Sequence, residues 1–86
     1  MRTIHHTVND PNGIHARPAG VLVNTAKKFD SEITLVFGDK TASLKRIFSV
    51  MGMALKAGDR FIIEISGTDE DAAAQALESA IKNSEI

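Results

Sequence analysis

The stretch "PNGIHARPAG", residues 11–20, lies where the hydrophobic pattern of the chain changes its period. Before it, residues 2–8 place Ile4, His6 and Val8 on one alternating face, which predicts a half-buried strand closed by the turn-forming "NDPNG". After it, residues 16–29 carry an apolar stripe at helical spacing: Ala19, Leu22, Val23, Ala26 and Phe29. Pro18 fits the first turn of that helix, because its missing N–H costs nothing there. The stretch therefore predicts a loop that leads into a helix over 16–29, with Lys27 and Lys28 in its last turn.

The rest of the chain switches between the two-residue hydrophobic period of strands and the 3.6-residue period of helices. "SEITLVF" (31–37) and "TASL" (41–44) predict a hairpin, "RIFSVMGM" (46–53) a short helix, and "RFIIEIS" (60–66) a strand. Thr68 and Asp71 are spaced like a capping box before a last helix with a stripe of Ala73, Leu77, Ala80 and Ile81. The order β-α-β-β-α-β-α indicates an α+β fold with helices on one face of an antiparallel sheet.

Composition narrows the functional classes. A length of 86 residues, 43% of them hydrophobic, fits one domain over residues 1–86. Lys and Arg number 10 against 11 Asp and Glu, so the charge balance does not favour nucleic-acid binding. The absence of Cys excludes disulfides, thiolate zinc sites and a cysteine nucleophile within this sequence. With no membrane-length apolar run and no signal-peptide pattern, we expect a soluble cytoplasmic protein without membrane insertion.

His15 stands where the free N–H groups of the first helical turn point. Those groups form an anion site and disfavour the imidazolium, so the ring is expected to be neutral, with a lone pair that can act as a nucleophile. Arg17 adds a fork of donors suited to phosphate oxygens, and Gly13 gives the loop conformational freedom. This arrangement predicts a histidine that accepts a phosphoryl group. The alternative is that His15 is an ordinary surface residue of the turn.

"GIHARPAG" resembles the active-site signature of the HPr family, the histidine-containing phosphocarriers of the bacterial phosphoenolpyruvate-dependent sugar phosphotransferase system. The likeness continues without visible gaps through "SEITLVFGDKTASLKRIFSVMGMALKAGDRFIIEISGTDEDAAAQAL". It implies an open-faced β-sandwich, in which three helices cover one face of a four-stranded antiparallel sheet of order 1-4-2-3.

The resemblance also implies a function and its residues. His15 would accept the phosphoryl group on Nδ1 from phosphorylated enzyme I, which takes it from phosphoenolpyruvate, and would pass it to a histidine of an enzyme IIA domain. Arg17 and the backbone amides of Ala16 and Arg17 would hold the group. The chain would then be a monomeric carrier that is itself modified, with no cofactor and no metal, rather than an enzyme in the strict sense.

A single surface next to His15 is expected to dock both partners. The resemblance places it on the first helix and the short second helix, with these residues: Gly20, Asn24, Lys27, Lys45, Arg46, Ile47, Phe48 and Met51. Part of the apolar set must hold the second helix to the sheet, and we expect Phe48 and Met51 to be at least partly exposed. The surrounding cations favour transient docking of acidic partners.

Arg46 departs from the family pattern, because many relatives carry a kinase-regulated serine there. Arginine cannot accept that phosphate, so the serine switch should be absent, and Ser43 and Ser49 do not occupy the matching position. Arg46 also cannot cap the second helix, which would leave it frayed or capped by Ser43.

Other readings of the sequence are weaker. His5 and His6 point to opposite faces of a strand and cannot chelate one ion together, so His6 should lie at the margin of the core. Asp69, Glu70 and Asp71 lack the spacing of a calcium loop and read as the start of a helix.

Two functional alternatives remain: a regulatory binding module of the same fold, and a phosphocarrier of a parallel nitrogen-related or single-sugar system.

Overall fold

The computed structural model describes residues 1–86 and contains four strands and three helices. The strands are β1 (Arg2–Thr7), β2 (Glu32–Phe37), β3 (Lys40–Ser43) and β4 (Arg60–Ser66); the helices are α1 (Ala16–Ala26), α2 (Ile47–Met51) and α3 (Glu70–Asn83). The order β-α-β-β-α-β-α, predicted from the two hydrophobic periods, is confirmed.

The strands form one antiparallel sheet of order β1-β4-β2-β3, as the family resemblance implied. β4 lies between β1 and β2, so that Ile63 is paired with Ile4 on one side and with Leu35 on the other. All three side chains are buried, because residues paired across neighbouring strands point to the same face of the sheet and the helices cover this face. The sheet and the helices enclose a single core cluster of 21 buried apolar residues.

α1 buries the predicted stripe but is shorter than predicted. Ala19, Leu22, Val23 and Ala26 are buried, together with Pro18. The helix ends at Ala26 rather than at Phe29, because the amides of Lys28 and Phe29 bond to carbonyls three residues back and tighten the chain into a turn. Lys27 and Lys28 therefore lie just beyond the helix, and the partly buried Phe29 reaches the core from the connecting segment.

The predicted capping box at α3 is wrong. Helix α3 begins at Glu70 with Asp69 at the N-cap position, and neither Thr68 nor Asp69 caps it with a side-chain hydrogen bond. The Asp69 carboxylate instead accepts hydrogen bonds from the Asp30 amide and from the amide and hydroxyl of Ser31. These bonds lower the pKa of Asp69, the Ser31 hydroxyl contributing most. Sequence spacing points to local partners, whereas this carboxylate is used by residues 38 and 39 positions away.

Candidate functional site

The loop before α1 is fixed by backbone hydrogen bonds. The Asp10 carboxylate accepts the Asn12 amide through Oδ1 at 2.8 Å, and the Asp10 carbonyl accepts the Gly13 amide at 2.9 Å. Gly13 has φ +68°, and a Cβ there would overlap the carbonyl oxygen of Leu55. That same oxygen accepts the Ile14 amide at 3.0 Å. The loop thus lies directly against the segment between α2 and β4, and only glycine fits at residue 13.

His15 occupies the N-cap position of α1 in extended backbone conformation (φ −99°, ψ −170°), and its ring makes no capping hydrogen bond. Its carbonyl accepts the Ala19 amide at 3.0 Å, and Pro18 has no N–H to donate. The amides of Ala16 and Arg17 therefore remain as the two unpaired donors at this helix end. The sequence produces this pair of donors by placing proline at the third helical position.

His15 and Arg17 line one surface depression of about 630 Å³, together with residues of the preceding loop and the end of α3. The His15 side chain is 41% exposed, and Arg17 is exposed. Two carboxylates also line the depression: Asp10, whose Oδ2 lies 3.5 Å from His15 Nε2, and Glu85. The structure thus places the predicted nucleophile and the predicted guanidinium on one accessible depression, and the two predicted amides follow His15 directly in the chain.

Sequence reasoning missed Asp10 and Glu85. In the sequence, Asp10 is one of the turn-forming residues of "NDPNG". Only its position five residues before His15 could have indicated a role in the site. Glu85 lies 70 positions from His15 and carries no motif, so only the fold places it at the depression.

A second surface extends from α1 to α2, which pack against each other. Phe48 is 86% exposed and Met51 38% exposed, so the predicted exposure of both is confirmed. Ile47 is partly buried and lies near Gly20, where an added Cβ would be 3.9 Å from Ile47 Cδ1. Of the remaining predicted residues, Asn24, Lys27 and Arg46 are exposed. Lys45 differs from them because its ammonium donates to the Phe29 carbonyl at 2.7 Å.

Arg46 is the N-cap residue of α2, with extended backbone and no side-chain cap. The suggestion that Ser43 caps this helix is wrong: its hydroxyl accepts the Lys45 amide at 3.2 Å, before the helix begins. The five residues of α2 are held by tertiary packing, through the buried Val50 within it and Met53 after it.

The second pair of histidines lies in β1. His5 is exposed, whereas His6 packs its ring against Phe61 with centroids 5.5 Å apart, at the margin of the core as predicted. No group of three His, Asp or Glu side chains is arranged to hold a metal ion. None of the helices has the length and apolar character that crossing a bilayer requires.

Comparison with known proteins agrees with this geometry. The family model described as "PTS HPr component phosphorylation site" matches residues 3–83. The phosphocarrier protein HPr of Lysinibacillus sphaericus is 51% identical over 77 residues, which cover 90% of this chain and 88% of that protein. The phosphocarrier protein HPr of Mycoplasma capricolum subsp. capricolum is 43% identical over 74 residues, or 86% and 83% of the two chains.

A solved structure extends the likeness to three dimensions. It is that of a histidine-containing phosphocarrier protein, described as structural evidence for the divergence of mycoplasma from Gram-positive bacteria. It superposes with a TM-score of 0.95 at 38% identity, covering 98% of this chain and 96% of that one. The family match over nearly the whole chain, the identities and the shared fold lead to one conclusion: the chain belongs to the HPr family of phosphocarrier proteins of the phosphotransferase system.

Proposed function

We propose that this chain carries a phosphoryl group on His15, accepting it from phosphorylated enzyme I and passing it to an enzyme IIA domain. The observation that carries the proposal is the half-exposed ring of His15 beside two unpaired amides and the Arg17 side chain. Retention of His15 and the arginine at position 46 favour a carrier over a purely regulatory module of this fold.

The transfer requires a neutral imidazole and a place for the charge of the phosphoryl group. The lone pair of one His15 nitrogen forms a bond to phosphorus while the bond from phosphorus to the donor histidine breaks. If the other nitrogen of His15 keeps its proton throughout, no proton has to move during the step. The Ala16 and Arg17 amides and the guanidinium are donors suited to the oxygens of the group, and donors fixed in advance stabilise developing charge most effectively.

Both partners would dock on the surface formed by α1 and α2. Phe48 and Met51 are exposed apolar side chains of α2, and three cations in or at the ends of α1 and α2 are also exposed: Arg17, Lys27 and Arg46. An apolar centre with a charged rim suits transient complexes, in which the rim governs the association rate and orientation. A carrier must release each partner quickly, and a patch of two side chains favours that behaviour.

The test is transfer of label from phosphoenolpyruvate through enzyme I. We expect acid-labile label on this chain, because phosphohistidine is hydrolysed in acid and phosphoserine is not. His15→Ala should abolish labelling. Arg17→Ala should slow it by about 10- to 100-fold, since a charged donor aimed at the phosphoryl oxygens is lost.

His5→Ala serves as the matched control, because His5 is an exposed histidine of β1 that takes no part in the site. It should be labelled at the native rate. Acid-stable label, or label that persists in His15→Ala, would refute the proposal.

A further inference from the structure

Asp10 stands in an unusual relation to His15. Its side chain is only 22% exposed, and its two carboxylate oxygens face different groups. Oδ1 accepts the Asn12 amide at 2.8 Å, which fixes the orientation of the carboxylate, and Oδ2 lies 3.5 Å from His15 Nε2. The Asp10 amide also donates to a backbone oxygen of Ile86 at 3.2 Å. The residue is therefore held on both its main chain and its side chain, with one oxygen left for the histidine.

We propose that Asp10 is a positioning residue, whose carboxylate keeps the His15 ring as the Nε2–H tautomer and so leaves the lone pair on Nδ1. This inference rests on the proposed function of His15. A neutral imidazole carries its single proton on one nitrogen, and the hydrogen bond made by that nitrogen decides which one. A carboxylate can only accept, so it favours a proton on the nitrogen that faces it. At 3.5 Å the contact is loose, as such contacts commonly are before the reacting complex forms.

The charge of Asp10 acts in the same direction. A phosphoryl group on Nε2 would face a carboxylate at close range, and two like charges so placed repel each other. A group on Nδ1 lies on the other side of the ring. When the Nδ1–phosphorus bond forms and the donor's nitrogen–phosphorus bond breaks, the ring gains positive charge while Nε2 keeps its proton. A carboxylate next to Nε2–H stabilises that charge, as the carboxylate behind a catalytic histidine does in hydrolases.

Asp10→Asn tests the proposal with little change in shape. The amide oxygen can still accept the Asn12 N–H, so its NH₂ group faces His15 Nε2 and needs an acceptor there. The variant should therefore favour the Nδ1–H tautomer. ¹⁵N shifts of the His15 ring report the tautomer directly, because protonated and unprotonated nitrogens are well separated. They are read at about pH 8.5, where an ordinary imidazole is neutral.

We expect the native chain to be mainly Nε2–H and the ratio of the two tautomers to change by about tenfold toward Nδ1–H in Asp10→Asn, with transfer from phosphorylated enzyme I slowed by about the same factor. Asp59→Asn is the control, because Asp59 also accepts a turn amide, that of Lys56 at 2.9 Å, and does not line the depression. It should leave both the tautomer and the rate unchanged.

An unchanged tautomer ratio in a folded Asp10→Asn chain would overturn the proposal. If that variant fails to fold, Asp10→Ala replaces it, and the Nε2–H fraction should then fall toward that of free imidazole; an unchanged fraction again overturns the proposal. The tautomer is measured on the unmodified chain without enzyme I. Failure of the native chain to accept label would therefore refute the proposed function separately.

Discussion

At the scale of single residues, the site depends more on backbone groups than on a set of interacting side chains. Proline at residue 18 removes one N–H from the first turn of α1, and the His15 carbonyl accepts a hydrogen bond from the Ala19 amide. The two donors that remain, at Ala16 and Arg17, belong to the main chain, so only a substitution by proline would remove them. The side chains that can be varied are His15 itself, Arg17 and Asp10, all of which border the same depression.

Gly13 allows the loop before α1 to lie against the backbone of Leu55. Gly13→Ala should destabilise the protein for two reasons, a left-handed backbone and an overlap with the Leu55 carbonyl. Gly38 also has a left-handed backbone (φ +63°) but has open space where a Cβ would be, so Gly38→Ala measures the first effect alone. We expect a loss of about 1 kcal/mol for Gly38→Ala and about 2 kcal/mol more for Gly13→Ala in urea unfolding. Equal losses would show that the close approach is unimportant.

The residues of the site could be predicted from the sequence where they are neighbours in the chain. His15, Arg17 and the two amides follow one another in the chain, so a helix start at residue 16 was enough to bring them together. The contact between Asp10 and His15 depends on the conformation of the whole loop, including the turn at Asn12 and the left-handed Gly13. No periodic pattern describes such a loop, and the carboxylate therefore looked like an ordinary turn residue.

At the scale of elements, α2 is the most dependent on its surroundings. A helix of five residues is not stable alone, because helix formation begins with an unfavourable nucleus. Val50 anchors it to the core, while Phe48 points away and is 86% exposed. Arg46, at its start, accepts the Val50 amide through its carbonyl, but its side chain caps none of the other amides of the first turn. Helix α2 therefore has few hydrogen bonds of its own, and it exposes its largest apolar side chain to solvent.

Arg46→Ser should stabilise α2. The backbone at residue 46 is already extended (φ −121°, ψ 107°), as a capping residue requires, and serine would supply the missing acceptor. We expect the free energy of unfolding to rise by about 0.5–1 kcal/mol. The same variant should become a substrate of a serine-directed HPr kinase, whereas the native chain should take up no label. Stable phosphate on the native chain would contradict the absence of the serine switch.

Phe48→Ala should weaken docking without affecting the fold. Because the side chain is 86% exposed, its removal leaves no cavity, and the urea midpoint should remain within error of the native value. The KM for transfer from enzyme I should rise by roughly tenfold, since truncation of an aromatic anchor at an interface commonly costs more than 1 kcal/mol. Phe48→Leu, which keeps an apolar side chain, should recover part of the loss. An unchanged KM would exclude Phe48 from the docking surface.

At the scale of the whole molecule, the chain is held together by contacts between distant segments. β1 and β4 pair across more than 50 residues, and the start of α3 binds the segment between α1 and β2 through Asp69. Ser31, which donates its amide and hydroxyl to that carboxylate, is the only buried polar residue of the chain. The hydrogen bonds to Asp69 therefore tie the start of α3 to the connection between α1 and β2.

The pKa of Asp69 is lowered by these hydrogen bonds, and this predicts a pH-dependent stability. A carboxyl group with a lower pKa in the folded state stabilises the fold fully above its ordinary value of 3.8, and the effect is lost as the pH falls through the folded pKa. Asp69→Asn should therefore have a lower urea midpoint than the native chain at neutral pH, and the difference should shrink progressively below about pH 4. Asp71→Asn, which changes an exposed carboxylate, should show little difference at any pH. A constant difference for Asp69→Asn would contradict the assignment.

The architecture was predictable from the sequence only in part. Each element has one apolar face with a clear period, so the order and type of all seven elements follow from the chain. The order of strands in the sheet does not, because β4 lies between β1 and β2 through pairings that no local pattern encodes. That order was implied only by the family resemblance. The capping of α3 was mispredicted because the Asp69 carboxylate bonds to distant residues instead of to its own helix. The end of α1 was mispredicted because the apolar stripe continues to Phe29, whereas the backbone of Lys28 and Phe29 tightens into a turn.

We propose that the phosphoryl group is bonded to Nδ1 of His15, and scalar coupling between phosphorus and nitrogen tests this proposal. The chain is labelled with ¹⁵N, phosphorylated by enzyme I and phosphoenolpyruvate, and examined for scalar coupling between ³¹P and the ring nitrogens. We expect a one-bond coupling to His15 Nδ1, with Nε2 still protonated next to Asp10. A one-bond coupling to Nε2, or phosphate on any residue other than His15, would contradict it.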